Sequence, residues 1–329
     1  MAFYDISFVI ILNIIEENFE EEMQKILFVG LIFSSSLVAQ TAYDFLKLDA
    51  SARSASLGGS FVANIDDPAV IFYNPAGMNF VERNKITIGF LKHFLDANSG
   101  FLSYNPHIKK VGKIGLAFAY TNYGSFELLD ELGNSKGNFS VNDLGLITNY
   151  SNLLGNDFSY GVNLKLIYSS IYNVYSLAFG FDAGLTYYDK LKQFSAGISF
   201  LNVGSQVKSY YNIKEKLPLD VRVGISKKLE YTPLRVFIEF VKLNEKSSSI
   251  TQRFKNFIFG GEIYTSNYFI LRFGYNNERK RELKIGTTTG TEGFNLGFGL
   301  NVSDFRFDYG LSSFGKAGVL HRINISTSL

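Results

Sequence analysis

The chain has 329 residues, 46% of them hydrophobic, with 32 Phe, 20 Tyr and 30 Gly but neither Trp nor Cys. The lack of Cys excludes a disulfide framework and any thiolate zinc or iron–sulfur site, and leaves only His93, His107 and His321 for imidazole chemistry. A formal charge of +2 hides an uneven distribution: residues 1–40 hold six acids and one Lys, so the remainder carries 31 bases against 24 acids, a net +7. That excess suits an anionic membrane surface, and it is not gathered into the basic, aromatic-interleaved run that nucleic acid would need.

In chain order, residues 1–22, "MAFYDISFVIILNIIEENFEEE", contain those six acids and no base. An export signal begins with positive charge, so this stretch fits none. Met23 to Gln40, "MQKILFVGLIFSSSLVAQ", does fit: one Lys, an apolar core from Ile26 to Phe33, then small residues. Its apolar run is far short of the roughly 20 residues that span a bilayer. The expectation is a start at Met23, with 1–22 a misassigned upstream extension and 23–40 a signal peptide cleaved near Ala39 or Gln40, giving export to the periplasm.

Residues 41–83 show helix-like and turn-like pieces without sustained alternation. Within them "DDPAVIFYNPAGM" sets Asp66, Asp67 and Asn74 around two prolines. The residue types predict architecture: Asp accepts from free N–H groups at a helix start, Pro is tolerated at the first helical position, and Asn74 before Pro75 is held extended, its amide free to bond a wall. Two adjacent carboxylates without further spaced ligands make a poor calcium loop, so no metal or cofactor is expected.

From Lys85 onward, large apolar and small polar residues alternate over segments of about ten, the period of a strand. In "LAFGFDAGLTYY" Leu177, Phe179, Phe181, Ala183, Leu185 and Tyr187 share one face, and Ala178, Gly180, Asp182, Gly184, Thr186 and Tyr188 the other. A soluble sandwich would turn its large residues inward and show charge outside. A greasy face opposed by Gly, Ala, Ser, Thr and Asn instead suits an all-β transmembrane antiparallel β-barrel, lipid outside and lumen within. Fourteen strand candidates run from 85–95 to 319–329, among them 113–123 and 141–151. Residues 282–289, "ELKIGTTT", read as a long hairpin arm, and Tyr104, Tyr150, Tyr187, Tyr188 and Tyr275 read as interfacial girdle residues. Fourteen strands enclose a lumen too wide for small side chains to fill, so residues 41–83 are expected inside the barrel of 84–329 as a plug.

Inward charges are then expected to pair across strands: Lys165 with Asp182, and Asp308 with Arg322. A structural role is weighed against a solute path. Enzymatic readings find no support, because His321 shares the face of Ile323 and Ile325, and "GTTTGTEG" lacks the Lys of a phosphate loop.

The blocks Phe45-Leu46, Ser51-Ala52-Arg53, Leu57-Gly58-Gly59, Asp66-Asp67 and Asn74-Pro75-Ala76 resemble the PorV/PorQ family of the wider FadL-like outer-membrane barrels. "FELLDELGNSKGNFSVND" from Phe126, "GVNLKLIYSSI" from Gly161, "LPLDVRVGISKKL" from Leu217 and "RFDYGLSSFGKAGVLHRINIS" from Arg306 extend the likeness, closer to PorQ than to PorV. The resemblance implies a non-enzymatic barrel of the type IX secretion system in the bacterial outer membrane. Its partners would be the surrounding lipid and lipopolysaccharide and the other proteins of the cell-surface attachment complex, docked through loops such as Asn122 to Asn142. The plug-motif residues Arg53, Gly58, Gly59, Asp66, Asp67, Asn74, Pro75 and Ala76 are structural in that reading. The alternative is a FadL-type transporter that moves hydrophobic molecules through a kinked wall strand.

Overall fold

The structure, a computed structural model, describes residues 43–94, 96–106, 112–130, 134–211, 214–245, 250–283 and 290–329. The expected signal peptide, the upstream extension and His107 lie outside the described residues. Fourteen antiparallel strands close into a barrel in which each strand pairs with its chain neighbours and β1 with β14. They are β1 (Lys85–Lys92), β2 (Asn98–Asn105), β3 (Lys113–Leu129), β4 (Ser135–Leu154), β5 (Phe158–Ile171), β6 (Val174–Asp189), β7 (Phe194–Lys208), β8 (Asp220–Lys228), β9 (Leu234–Phe240), β10 (Phe257–Tyr264), β11 (Phe269–Asn276), β12 (Phe294–Val302), β13 (Phe305–Ser313) and β14 (Val319–Ser328). Among the described residues three short α-helices accompany them, α1 (Ala52–Ser56), α2 (Ile250–Arg253) and α3 (Asn277–Leu283), together with short 3-10 turns. No helix among the described residues is long and apolar enough to cross a membrane.

Alternation sets the two surfaces of the wall. Ile88, Phe90, Leu164, Leu185, Leu296 and Ile323 are exposed on the outside, whereas the residues between them, such as Thr87, Asn163, Asp182, Thr186, Asn295 and Asn324, are buried in the lumen. Such an exterior is stable only against lipid, because a contiguous apolar band of this size in water would drive association. Aromatic contacts edge the band at both ends. Tyr150 lies on Tyr160 and Phe158 on Tyr187 near one rim, while Phe257, Tyr275 and Phe294 form a chain near the other. Tyr188 departs from the expected girdle, packing edge-on against Phe80 of the inner segment instead.

The two ends differ. The turns at 155–157, 190–193, 229–233, 265–268 and 303–304 are short, and the start of β1 and end of β14 lie at the same end. The connections 209–219, 241–256 and 277–293 lie at the opposite, long-loop end. There the wall is uneven, since β3 to β7 run 14 to 20 residues and β8 to β14 only 7 to 10. The 122–142 connection, expected as a loop, is therefore mostly strand. β3 and β4 stay paired to Leu129 and Ser135 through irregularities at Asn122/Ser125 and Glu127/Leu129, so the hairpin runs on past the shorter strands of the wall. Residues 282 and 283 close α3, so the expected hairpin arm is not a strand at its start; residues 284–289 lie outside the described residues.

Residues 43–81 occupy the lumen, where Tyr43, Phe45, Leu57, Phe61, Val70, Ile71 and Met78 are buried together with inward residues of the wall. α1 begins with a capping box in which Ser51 accepts from the Ser54 N–H at 3.0 Å and Ser54 Oγ accepts from the Ser51 N–H at 3.3 Å. It ends at Gly58 and Gly59, whose φ of +75° and +94° are costly for any residue with a Cβ.

Candidate functional site

The inner segment is fastened at two nodes near the short-turn half of the lumen. At the first, the buried Arg53 guanidinium forks onto Glu262 of β10, Nε donating to Oε1 at 2.7 Å and Nη2 to Oε2 at 2.8 Å, while Nη1 donates to Asp66 Oδ1 at 2.6 Å. Glu262 also accepts from Arg272 Nε at 2.8 Å and from the Tyr264 hydroxyl at 2.9 Å. Arg272 Nη1 lies 2.8 Å from Asp308 Oδ1, which accepts from Arg306 Nε at 3.0 Å. One chain of alternating charge thus runs over β10, β11 and β13, with the segment's own Arg53 and Asp66 as its inner links. Burial alone would raise the Asp66 pKa, but the Arg53 and Arg235 guanidiniums outweigh it and hold that carboxyl well below the usual range.

Asn74 forms the second node. Extended at φ −156° and ψ 108°, it caps the 3-10 turn Pro75–Asn79, its Oδ1 accepting from the Ala76 N–H at 3.1 Å. Its amide donates to Val62 O, Leu185 O and Thr186 Oγ1 at 2.9–3.1 Å, joining the segment to itself and to β6. Asp67 caps the preceding turn, Pro68–Phe72, by accepting from the Ala69 N–H at 2.9 Å. The neighbouring carboxylates therefore divide the work: Asp67 caps and Asp66 pairs with Arg53.

Sequence reasoning missed what the glycines of the wall are for. A Cβ at Gly161 would overlap the Pro75 backbone, one at Gly184 the Asn74 side chain, and one at Gly197 Val62 O. Gly274, Gly297 and Gly310 likewise give way to the Leu57–Gly58 backbone, Ser56 and Ala52 O. The small inner face is a mould of the plug. Glu239 was also missed; it accepts from the Phe61 and Val62 N–H groups at 2.6 and 2.9 Å. The available signal was a lone acid or Arg at inward parity in an otherwise apolar strand, as in "RVFIEF", "FIFGGEIY" and "FILRFGYN".

Of the expected charge pairs, Lys165 Nζ lies 2.8 Å from Asp182 Oδ2, reaching diagonally because Asn163 is the residue opposite Asp182. Asp182 also accepts from the Asn202 N–H at 2.7 Å, filling an irregularity in β7 where Asn202 takes φ +61°. Asp308 and Arg322 do not pair. In the register of β13 with β14, Asp308 faces Asn324 and Arg322 faces Gly310; Asp308 turns to Arg272 and Arg306 while Arg322 turns to the plug.

Above the nodes Phe45 packs in a buried apolar cluster with Ala117, Ala119, Ile147, Ile167 and Ala178, ringed by buried polar residues such as Lys165, Asp182, Thr121, Asp143 and Ser169. Tyr43 reaches β6 through a hydroxyl contact with Ser176. At the long-loop end, on the β8 to β14 side, opens a cavity of about 830 Å³ whose lining includes Asp49, Arg222, Lys242, Glu278, Arg279 and Arg322. Burial would raise the Asp49 pKa, but Arg279 and Arg322 outweigh it and lower the value. Among the described residues no group of three His, Asp or Glu could hold a metal ion. His321 lies on the outer face, its Nδ1 2.6 Å from the Tyr309 hydroxyl, and His93 bonds Ser99.

At the level of sequence, no family model matches the chain, and no curated protein does. Solved structures share the fold. A deltaS2S3 mutant of the TodX monoaromatic hydrocarbon channel aligns with 85% of this chain and 99% of its own at 12% identity, TM-score 0.57. The Ralstonia pickettii toluene transporter TbuX aligns over 84% and 96% at 12% identity, TM-score 0.51. A Pseudomonas aeruginosa FadL homologue aligns over 85% and 98% at 10% identity, TM-score 0.51. The chain thus has the fold of FadL-like outer-membrane barrels.

Proposed function

We propose that the chain is an outer-membrane channel of FadL type that admits small hydrophobic molecules. The observation that carries this reading is the likeness of fold to channels named for hydrocarbons and toluene, in a barrel whose lumen holds a buried apolar cluster of Phe45 with Ala117, Ala119, Ile147, Ile167 and Ala178. A hydrocarbon that took the place of Phe45 in this cluster would gain about 25 cal/mol per Å² of apolar surface buried. The hydrocarbon and toluene named for the neighbours of like fold support the same class of solute. In this reading the short-turn end faces the periplasm and the long-loop end the exterior. Uptake of labelled toluene tests it: cells lacking the protein should take up less, and the complemented strain should recover. Equal uptake in both would overturn the reading.

A second reading, membership of the PorV/PorQ family and a place in the type IX attachment complex, is favoured by one observation. Arg53, Gly58, Gly59, Asp66 and Asn74, which carry that resemblance, are among the residues that fasten the plug, and the β3–β4 hairpin that bears the matching insert runs on past the shorter strands of the wall. The barrel would then be an anchor for other secretion proteins, with no reaction of its own. Cross-linking and purification from solubilised outer membranes tests it: co-purifying secretion proteins support this reading, and a barrel recovered alone counts against it.

A further inference from the structure

The lower plug is locked by buried, multiply bonded nodes, but the part facing the mouth is held differently. It carries a buried carboxylate, Asp49, 6% exposed, and the residue that reaches it most closely belongs to neither plug nor barrel wall. Arg279 of α3, in the long-loop connection between β11 and β12, donates from Nη2 to Asp49 Oδ2 at 3.0 Å. Arg322 of the wall is more distant from that carboxylate, 3.9 Å from Oδ2, and spends Nε on the Asp49 carbonyl at 3.2 Å and Nη1 on Ser312 Oγ at 3.2 Å.

Arg279 is itself held in place on every side. Its Nη1 donates to Asn295 Oδ1 at 2.9 Å, its guanidinium lies 4.8 Å from the Phe314 ring centre, and its N–H donates to Asn276 Oδ1 at 2.8 Å. The helix that carries it is clamped in turn by Lys242 from the β9–β10 connection, which contacts Glu278 and lies 2.5 Å from Glu282. Behind Asp49, the Tyr73 hydroxyl accepts from the Ala50 N–H at 3.0 Å and shares a 2.7 Å hydrogen bond with Ser54, so a pull on residue 49 is transmitted to α1. In the other direction, Phe45 packs in the buried apolar cluster of the upper lumen and the Tyr43 hydroxyl contacts Ser176. The cavity of about 830 Å³ touches Asp49, Arg279, Glu278, Glu282 and Lys242 together, so a solute or partner entering there meets both halves of the contact.

We propose that α3 is a latch on the plug: Arg279 holds Asp49, and through it residues 43–50, against the apolar cluster of the upper lumen, so that displacement of α3 from the mouth side uncovers the upper lumen while the Arg53 and Asn74 nodes keep the lower plug seated. The proposal concerns how the lumen is uncovered, and it stands whether the barrel conducts a solute or anchors a partner. It follows from unequal fastening, because local opening takes the least stable contiguous part first. Lys242 is a positioning residue in this scheme, since it touches α3 and not the plug.

Because the chain has no Cys, one engineered thiol reports on this cluster without background. Ala119→Cys places it beside Phe45, at a position 4% exposed. The folded barrel in lipid is treated from the long-loop side with a small cationic methanethiosulfonate, and the labelling rate is followed by mass. Adding Arg279→Ala should speed labelling at least tenfold, and adding Lys242→Gln should speed it by a smaller factor. Peptides from 66–81 should keep wild-type hydrogen-exchange protection throughout. If Arg279→Ala costs the heat-resistant barrel form, Asp49→Asn, which keeps shape and removes charge, takes its place with the same expectation. Labelling at the wild-type rate in the folded variant overturns the proposal, as does loss of protection over 66–81 in step with labelling, which would mean that the plug leaves as one body.

Discussion

Replacing Asn74 by Ala tests how the plug is seated. The side chain is completely buried and satisfies four groups: the Ala76 N–H through its carbonyl, and Val62 O, Leu185 O and Thr186 Oγ1 through its amide. Loss of the cap costs about 1 kcal/mol. The amide has two hydrogens to share among three acceptors, so it contributes two full bonds, each about 1 kcal/mol net. The sum is about 3 kcal/mol, and it should fall on the plug, because none of the four bonds is part of the strand ladder. Since about 1.4 kcal/mol is a factor of ten, amides of 69–81 should exchange roughly 100-fold faster through local opening. Peptide-resolved hydrogen exchange on the folded barrel in lipid or detergent measures this, with peptides of β10 to β14 as internal reference. A change of less than threefold over 69–81, or equal acceleration in the reference strands, would refute the reasoning.

Arg53→Met should be at least as severe, because Glu262 stays fully buried with only Arg272 and the Tyr264 hydroxyl left on it; the cost approaches the about 3–5 kcal/mol of a broken buried pair from below, seen as loss of protection over 51–60. Arg53→Lys should recover little of it, since a single ammonium cannot fork onto Glu262 and reach Asp66 together. Acid should loosen the same node: a carboxyl whose folded pKa is depressed stabilises the folded state above its ordinary value of 3.8 and loses that contribution as pH falls below it, so protection factors over 51–66, taken relative to intrinsic exchange at each pH, should fall below about pH 3.8 and be flat above it. On the outer face, Ile323→Arg should lower the folded fraction after refolding into lipid by about 2–4 kcal/mol if it sits near the bilayer midplane, read as heat-resistant gel mobility; an unchanged fraction would deny that this face meets acyl chains.

Much of the architecture could be read from period alone, because in a barrel each residue meets lipid or lumen by its parity, and Leu177, Phe179 and Phe181 against Ala178, Gly180 and Asp182 leave no other arrangement. The caps at Asp67 and Asn74 were equally local, written in the residue and the proline after it. What could not be read had partners far away in sequence. Glu262 is 209 residues from Arg53, and nothing near "FIFGGEIY" says which cation it meets. The Asp308–Arg322 expectation failed on competing partners: Arg322 lies opposite Gly310, two residues from the partner of Asp308, an offset that Lys165 spans to Asp182, but here Arg272 and Arg306 occupy Asp308 while Asp49 and Ser312 occupy Arg322. The β3–β4 hairpin was mistaken for a loop because Gly, Asn and Ser in "GNSKGNFSVN" are turn formers, yet cross-strand pairs such as Phe126 on Phe139, ring centres 5.5 Å apart, carry the ladder through them.

A face of glycine and small polar residues admits two explanations in a barrel, a water-filled passage or a surface against which something is packed, and alternation does not distinguish them. Geometry at Gly184 does. A methyl added to a water-filled lumen would be nearly silent, whereas here it would overlap the Asn74 Oδ1. Gly184→Ala should therefore loosen the plug by itself, and the loss should shrink once Asn74 has become Ala, because the atom in the way is gone. In a double-mutant cycle read by exchange over 69–81, the coupling between the two positions should be about 0.5–3 kcal/mol, the range found for residues in contact. Strict additivity would mean that position 184 faces open lumen, and that the plug rests on its charged node alone.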